Sequence, residues 1–324
     1  MDILLISSIL LHTIANAFGI FTNVVLVYLV VKKTPERLAT YAVFILNFAV
    51  CDLCACTAAL FVQQRLIPSG LGLFYFSHGP CRYIGPLACY IGYSFMLHCY
   101  AHNLWSLLFS FAYRYYVLVR PMPKIRTIRI LILVIYIPSL LQFVTFCFAN
   151  DNEDVVKKRI HQIFGYDTSQ ECVSGHVNIL KWEALFTILH MTLPVTPVYA
   201  MILILRRRIL MKLCKNEAIS ENSRRLHAQL LKAITYQACI PVFFFIAVVT
   251  YALGQLKIIN HPILEYSSFI LIGFVPVLSP LSSLYFILPY RIWISTRLLR
   301  RNQHISTKTE TRVLTITTIT RTNE

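Results

Sequence analysis

ATYAVFILNFAVCDLCACTAALFV, residues Ala39–Val62, runs without a lysine or arginine and carries one carboxylate, Asp52, near its middle. A bilayer core is crossed by about 20 apolar residues of helix. The stretch therefore reads as a membrane span, and a carboxylate at that depth is costly enough to mark function. Six further segments of the same character lie on either side of it: Leu4–Val31, Tyr83–Phe111, Ile130–Phe148, Trp182–Leu205, Ala233–Leu253 and Ile263–Leu288. The expected fold is an all-α, seven-helix integral membrane bundle.

The loops between the segments set its orientation. Of 30 Lys and Arg residues, 23 fall in loops on one side. They include Lys32, Lys33 and Arg37, the run Arg114 to Arg129, the stretch Arg206 to Lys232, and the chain after Arg291. Lys and Arg are retained in the cytosol, so an odd number of spans puts the amino terminus outside and the carboxyl terminus inside. The opening Met1-Asp2-Ile3 runs directly into the first span and reads as a retained signal anchor. Apolar residues make up 57% of the chain and charged ones 14%, against about 25% charged in a soluble domain. The net charge of +16 sits at one membrane face, which points to anionic lipid and a cytosolic partner, not to nucleic acid.

Residues 1–301 read as one domain with no internal repeat, and residues 302–324 as a Thr-rich, disordered cytosolic tail. Between them, Tyr290 to Arg301 mixes apolar and basic residues, as a short amphipathic helix on the inner membrane surface does. Cys51, Cys54 and Cys56 lie mid-span and read as packing residues, so no metal site is expected. Cys81, Cys89 and Cys172 lie toward the outer, oxidising face.

Several motifs occur in order on these segments. They are Gly19-Ile20-Phe21-Thr22-Asn23 in span one, Leu46-Asn47-Phe48-Ala49-Val50-Cys51-Asp52-Leu53 in span two, and Arg114-Tyr115 with Pro121 after span three. Pro241 follows in span six and Ser279-Pro280 in span seven. Together they resemble the rhodopsin-like G-protein-coupled receptors. That resemblance implies a heterotrimeric G protein engaged by Arg114, Tyr115 and Pro121, with helix kinks at Pro241 and Pro280. It also implies that Asn23, Asp52, Asn103 and Ser279 converge in an intramembrane polar network able to hold water or a sodium ion at Asp52; the plainer alternative is a structural hydrogen-bond cluster. No other cofactor is expected. In that family a cysteine at the top of span three pairs with one in the second outer loop, here Cys172. The family's spacing back from Arg114 gives Cys89, with Cys81 as the competitor.

The departures are as informative. Tyr113, not an acid, precedes Arg114, so the usual carboxylate partner is missing and tyrosine rings would take its place. Span six has Cys239-Ile240-Pro241 where Cys-Trp-Pro is usual, and Tyr285 is two residues late for the usual spacing after Pro280. His78-Gly79-Pro80-Cys81-Arg82-Tyr83, His98 with His102, Ser110-Phe111-Ala112-Tyr113-Arg114-Tyr115-Tyr116 and Pro289-Tyr290-Arg291 are similar to the nematode serpentine chemoreceptors of the delta class. What this implies is a sensory receptor in the plasma membrane, in a sensory cilium, for a small odorant or soluble chemical. Helical phase from Arg114 turns Tyr93, Met96, Leu97 and Tyr100 toward the bundle, with Phe244, Phe245 and Val248 facing them from span six. The competing readings are a seven-helix ligand-gated channel and a small-molecule transporter. A catalytic role is not expected, because no nucleophile, base and metal group share one depth.

Overall fold

The computed structural model describes residues 3–215, 232, 235–259 and 261–298. The Thr-rich tail, the end of the expected amphipathic helix and most of the basic Arg206–Lys232 stretch lie outside the described residues. The long helices are α1 (Ile3–Lys33), α2 (Ala39–Val62), α3 (Pro86–Val117) and α4 (Ile125–Cys147). A short helix, α5 (Glu153–Phe164), precedes α6 (Trp182–Thr192), which runs into α7 (Val195–Lys215) across the break at Leu193-Pro194. Then come α8 (Pro241–Gln255), α9 (Pro262–Phe286) and a short α10 (Leu288–Trp293).

Six of these stretches are long and apolar enough to cross a membrane: Ile3–Lys33, Ala39–Val62, Ile125–Cys147, Trp182–Lys212, Thr235–Gln255 and Pro262–Phe286. The expected third span is not among them. It is a single helix of 32 residues, about 48 Å at 1.5 Å per residue, but it carries His98, His102, Asn103 and three serines. Its neighbours explain how. α3 touches α2, α4, α6 and α7, while α1, α2, α4, the α6–α7 stretch, α8 and α9 contact one another in sequence around it. A helix so enclosed presents little surface to lipid and can afford polar side chains.

The outer helices are inside-out by the standards of a soluble protein. α1 buries His12, Asn16 and Asn23 and exposes Leu10, Ile14, Phe18 and Phe21. Apolar-out and polar-in is the pattern that lipid selects, since no water satisfies polar groups at that depth.

The all-α expectation is corrected at one end of the bundle. The chain between α2 and α3 forms a hairpin of β1 (Gln64–Ser69) and β2 (Gly72–Ser77), and β3 (Val173–His176) adds to it antiparallel. The turn is Gly70-Leu71, with Gly70 at φ +59°, the positive value that a two-residue hairpin turn asks of its first residue. Alternation then sorts the side chains. Ile67, Phe74, Phe76 and Val173 pack with Val156 and Ile160 of α5, while Leu66, Leu73 and Tyr75 join the core of the bundle. The sheet is thus a lid, buried on both faces.

The lid is tied down at two points. Gln255, closing α8, donates from Nε2 to the carbonyls of Gly70 and, at 3.0 Å, Gly72, and accepts from the Gly70 amide at 3.1 Å. Arg65 of β1 reaches Glu265 of α9 at 2.6 Å.

Candidate functional site

Three hollows are stacked along α3 from the lid toward the Arg114 end. The uppermost, directly under the sheet, encloses with its opening about 590 Å³. Leu66, Leu73 and Tyr75 of the hairpin roof it, Tyr93 and Leu97 of α3 form one wall, and Phe244, Val248 and Tyr251 of α8 form another. Thr187 and Met191 of α6 and Phe269 of α9 complete it. Among the described residues, no Lys, Arg, His, Asp or Glu lines it.

Of the residues expected to face a ligand, Tyr93, Leu97, Phe244 and Val248 line this hollow and Tyr100 lines the next one down. Met96 is buried in the surrounding core and lines neither. Phe245 is a correction: it is 49% exposed and faces away from the bundle. Neighbours on a helix point about 100° apart, so Phe244 and Phe245 cannot share a face. The hairpin roof was missed entirely. Its signal was present, a Ser-Gly pair at Ser69 and Gly70, where the turn begins, between runs of Leu, Ile, Phe and Tyr.

The middle hollow holds the carboxylate that opened the sequence reading. Asp52 is buried, and Asn103 donates to its Oδ1 at 2.6 Å from α3, while the hydroxyl of Ser279 on α9 bonds it from the other side. Asn103 Oδ1 has no hydrogen-bond partner of its own. Asn23 does not join them. Its Nδ2 donates to the carbonyls of Gly19 at 2.9 Å and Pro276 at 3.0 Å. The reason lies in α9: Pro280 has no amide hydrogen, so the carbonyl four residues earlier loses its helical donor. That carbonyl belongs to Pro276, and Asn23 supplies the missing bond. The expected four-residue cluster is therefore a three-residue cluster beside a proline cap.

Pro241 acts the same way on its own helix. Helix resumes at Pro241 after a turn at Ile240, where tighter bonds run from the Ile240 amide to the Gln237 carbonyl and from the Phe243 amide to the Ile240 carbonyl.

The lowest hollow contains Arg114, whose guanidinium carbon lies 5.2 Å from the centre of the Tyr41 ring. No carboxylate pairs with it among the described residues, and its Nε is buried without a hydrogen-bond partner. A tyrosine ring was expected to hold it, with no particular one indicated. The one that does belongs to α2, and Tyr113 packs behind it, edge-on to Tyr41 at 5.7 Å. Tyr115 is half-buried against Leu118 and its neighbours, and Pro121 is exposed beyond the helix. The hollows share walls: Phe244 lines the first and second, and Phe48 and Gln237 line the second and third.

The cysteines at the lid end also correct an expectation. The disulfide joins Cys81 to Cys89, the two candidates, instead of either to Cys172. Cys172 remains a thiol, its Sγ 3.6 Å from that of Cys89. The local chain accounts for this pairing. Cys81 sits in the turn Pro80–Tyr83, and Gly85, at φ +134°, folds the chain into the first turn of α3. That brings the two Cα atoms to 5.0 Å, within the usual range for a disulfide.

Comparison with known proteins covers the whole bundle. Residues 8–296 match the profile of the serpentine type 7TM GPCR chemoreceptor Srd family. The chain is 40% identical to serpentine receptor class delta-18 of Caenorhabditis elegans over 279 residues, covering 84% of this chain and 83% of that one. It is 38% identical to serpentine receptor class delta-19 of the same organism, covering 84% and 82%, and 35% identical to class delta-1, covering 87% and 78%.

Proposed function

The chain belongs to the serpentine type 7TM GPCR chemoreceptor Srd family, and from that premise we propose that it converts binding of a small molecule under the lid into activation of a heterotrimeric G protein at the Arg114 end. In this reading α3 is the seventh span. The lid faces outward and the basic loops face the cytosol, as the retention of Lys and Arg requires. The observation that carries the proposal is the column of hollows joined through Phe244 and Gln237. Both residues lie on the stretch broken at Pro241.

A ligand pressing on Phe244 above the break would bias the segment carrying Gln237 below it. Such a signal requires only that the ligand bind one arrangement of the bundle better than the other. Arg114 is suited to the output, being a cation held by a ring and free to take an acceptor from a partner. Asp52, Ser279 and the unpartnered Asn103 Oδ1 offer three oxygens in the middle hollow. That set fits a sodium ion completed by water, bound in one arrangement and released in the other. The site of action would be the plasma membrane of a sensory cilium.

The test is nucleotide exchange on a panel of Gα subunits in membranes carrying the protein, with pools of odorants and Arg114→Ala alongside. Ligand-dependent exchange that the variant loses is the expected result. A ligand-dependent conductance with no exchange on any Gα would replace this reading with a channel.

A further inference from the structure

The hollow under the lid has a chemical character that narrows what it accepts, and this step rests on that hollow being the ligand site. Its walls are hydrocarbon apart from a few hydroxyls, and most of those are already used. Thr187 donates to the Glu183 carbonyl at 3.3 Å and Thr192 to the Ile188 carbonyl at 2.7 Å, each within its own helix. Ser268 bonds the Leu264 carbonyl at 3.3 Å and shares a bond with Thr250 at 3.0 Å. The Tyr75 ring packs 4.6 Å from that of Tyr93, and its buried hydroxyl has no hydrogen-bond partner.

Tyr251 shares the unmet bond of Tyr75, and it stands on α8 with Phe244. Its hydroxyl is buried, lines the hollow, and has no hydrogen-bond partner. An unmade bond at a buried hydroxyl is costly, and a ligand that completes it recovers that cost. A phenol donates more readily than it accepts, because its lone pairs are drawn into the ring. The missing partner is therefore an acceptor.

Charge is selected against. A ligand ammonium or carboxylate would leave water for a space with no opposite charge on its walls, which is far more costly than burying a neutral polar group. We propose that this hollow selects an uncharged, largely apolar molecule bearing one hydrogen-bond acceptor, of the ketone, aldehyde or ester class, with the acceptor bound by the Tyr251 hydroxyl. Tyr251 stands on α8, as Phe244 does, so the polar end of the ligand is anchored on the helix proposed to move.

The experiment is direct binding to the full chain in lipid nanodiscs, with four probes of one chain length. These are methyl hexyl ketone, the alkene in which a methylidene group replaces its carbonyl oxygen, octylammonium and octanoate. The ketone is expected to bind about tenfold more tightly than the alkene, as one recovered buried hydrogen bond implies, with the two ions weakest. Tyr251→Phe keeps the ring and removes the donor. It should bring ketone and alkene to within about twofold of each other.

Equal binding of ketone and alkene, preference for either ion, discrimination that survives Tyr251→Phe, or no binding of either neutral probe to folded protein would each overturn the inference. Binding needs no G protein, so the two proposals fail separately. Ketone discrimination without nucleotide exchange removes the coupling and leaves this site. Exchange driven by an ionic ligand does the reverse.

Discussion

Two arginines sit near opposite ends of this bundle, and they are held in different ways. Arg65, at the lid, lies 2.6 Å from Glu265 with the rings of Phe76, Tyr166 and Tyr266 around its guanidinium at 5.7, 5.8 and 5.0 Å. Arg114, at the other end, has one close ring, Tyr41 at 5.2 Å, and no carboxylate among the described residues. A buried cation with its counter-ion and an aromatic cage has nothing to gain by moving. One stabilised by a single ring, with a buried Nε left over, gains whenever an acceptor arrives. In the function proposed above, the lid end holds its shape and the Arg114 end exchanges partners.

Breaking the pinned end should have the largest effect. Glu265→Gln removes the counter-ion and leaves Arg65 charged among rings, with the pair only 19% and 14% exposed. Unpairing a buried ion in this way costs about 3 kcal/mol or more. The expected outcome is a fall in melting temperature of several degrees in detergent. Replacing both partners, Arg65→Met with Glu265→Leu, should recover most of that loss. If the single variant melts like the parent, the lid is not pinned by this pair.

The pinned end should also be sensitive to acid. His176 in β3 is buried, donates from Nδ1 to the Ala149 carbonyl at 2.9 Å, and has Asp151, Lys181 and Tyr90 nearby. Burial dominates and lowers its pKa from 6.5 to about 4. Above pH 6.5 the imidazole is neutral in folded and unfolded chains alike and contributes no pH dependence. Below 6.5 the unfolded chain takes up the proton first, so stability falls by about 1.4 kcal/mol per pH unit until about pH 4. His78, whose pKa burial also lowers, acts in the same direction. A melting temperature unchanged between pH 7 and pH 5, or a decline undiminished in His176→Gln, would contradict this assignment.

At the poised end the effect should appear in signalling, not in stability. Tyr41→Leu removes a desolvated cation–ring contact, which is about 2 kcal/mol. If that contact holds Arg114 in the resting arrangement, ligand-independent nucleotide exchange should rise on the order of tenfold. Tyr41→Phe keeps the ring and should leave exchange near the parental level. Equal behaviour of the two variants would mean that the hydroxyl, not the ring, is the restraint.

The same contrast separates what could be read from the sequence and what could not. Helices and their lipid-facing stripes follow from composition over about 20 residues, so α1, α2 and α9 were legible. The polar α3 was legible only as a segment bounded by loops, because what allows its histidines and serines is the ring of helices around it. Partners across space were the weak point. The lack of an acid before Arg114 suggested tyrosine rings without saying which, and the ring that reaches it comes from α2. Cys89 suggested Cys172 and is bonded to Cys81, a choice fixed by the turn at Gly85. Phase carried from Arg114 along α3 placed Tyr93 and Leu97 on a wall of the hollow. The same phase could not be carried onto α8, where Phe244 and Phe245 had to be told apart by packing.

Between the two arginines lies a bond that belongs to neither regime, and the smallest predicted effect falls on it. Asn23 caps the Pro276 carbonyl that Pro280 leaves without a donor. Asn23→Ala should cost about 1 kcal/mol, the net value of one hydrogen bond plus part of the exposed carbonyl's penalty. Asn23→Asp should cost more, since a carboxylate cannot donate to a carbonyl. Pro280→Ala restores an amide hydrogen at the position where α9 lacks one, so the helix can satisfy Pro276 itself. The loss from Asn23→Ala should then largely disappear in the double variant, a coupling that a double-mutant cycle on melting temperature would measure. Additive losses would mean that Asn23 stabilises α1 against α9 by packing alone. A coupled pair would mean that the break in α9 is held shut by one side chain, which ties the middle of the bundle to its pinned half.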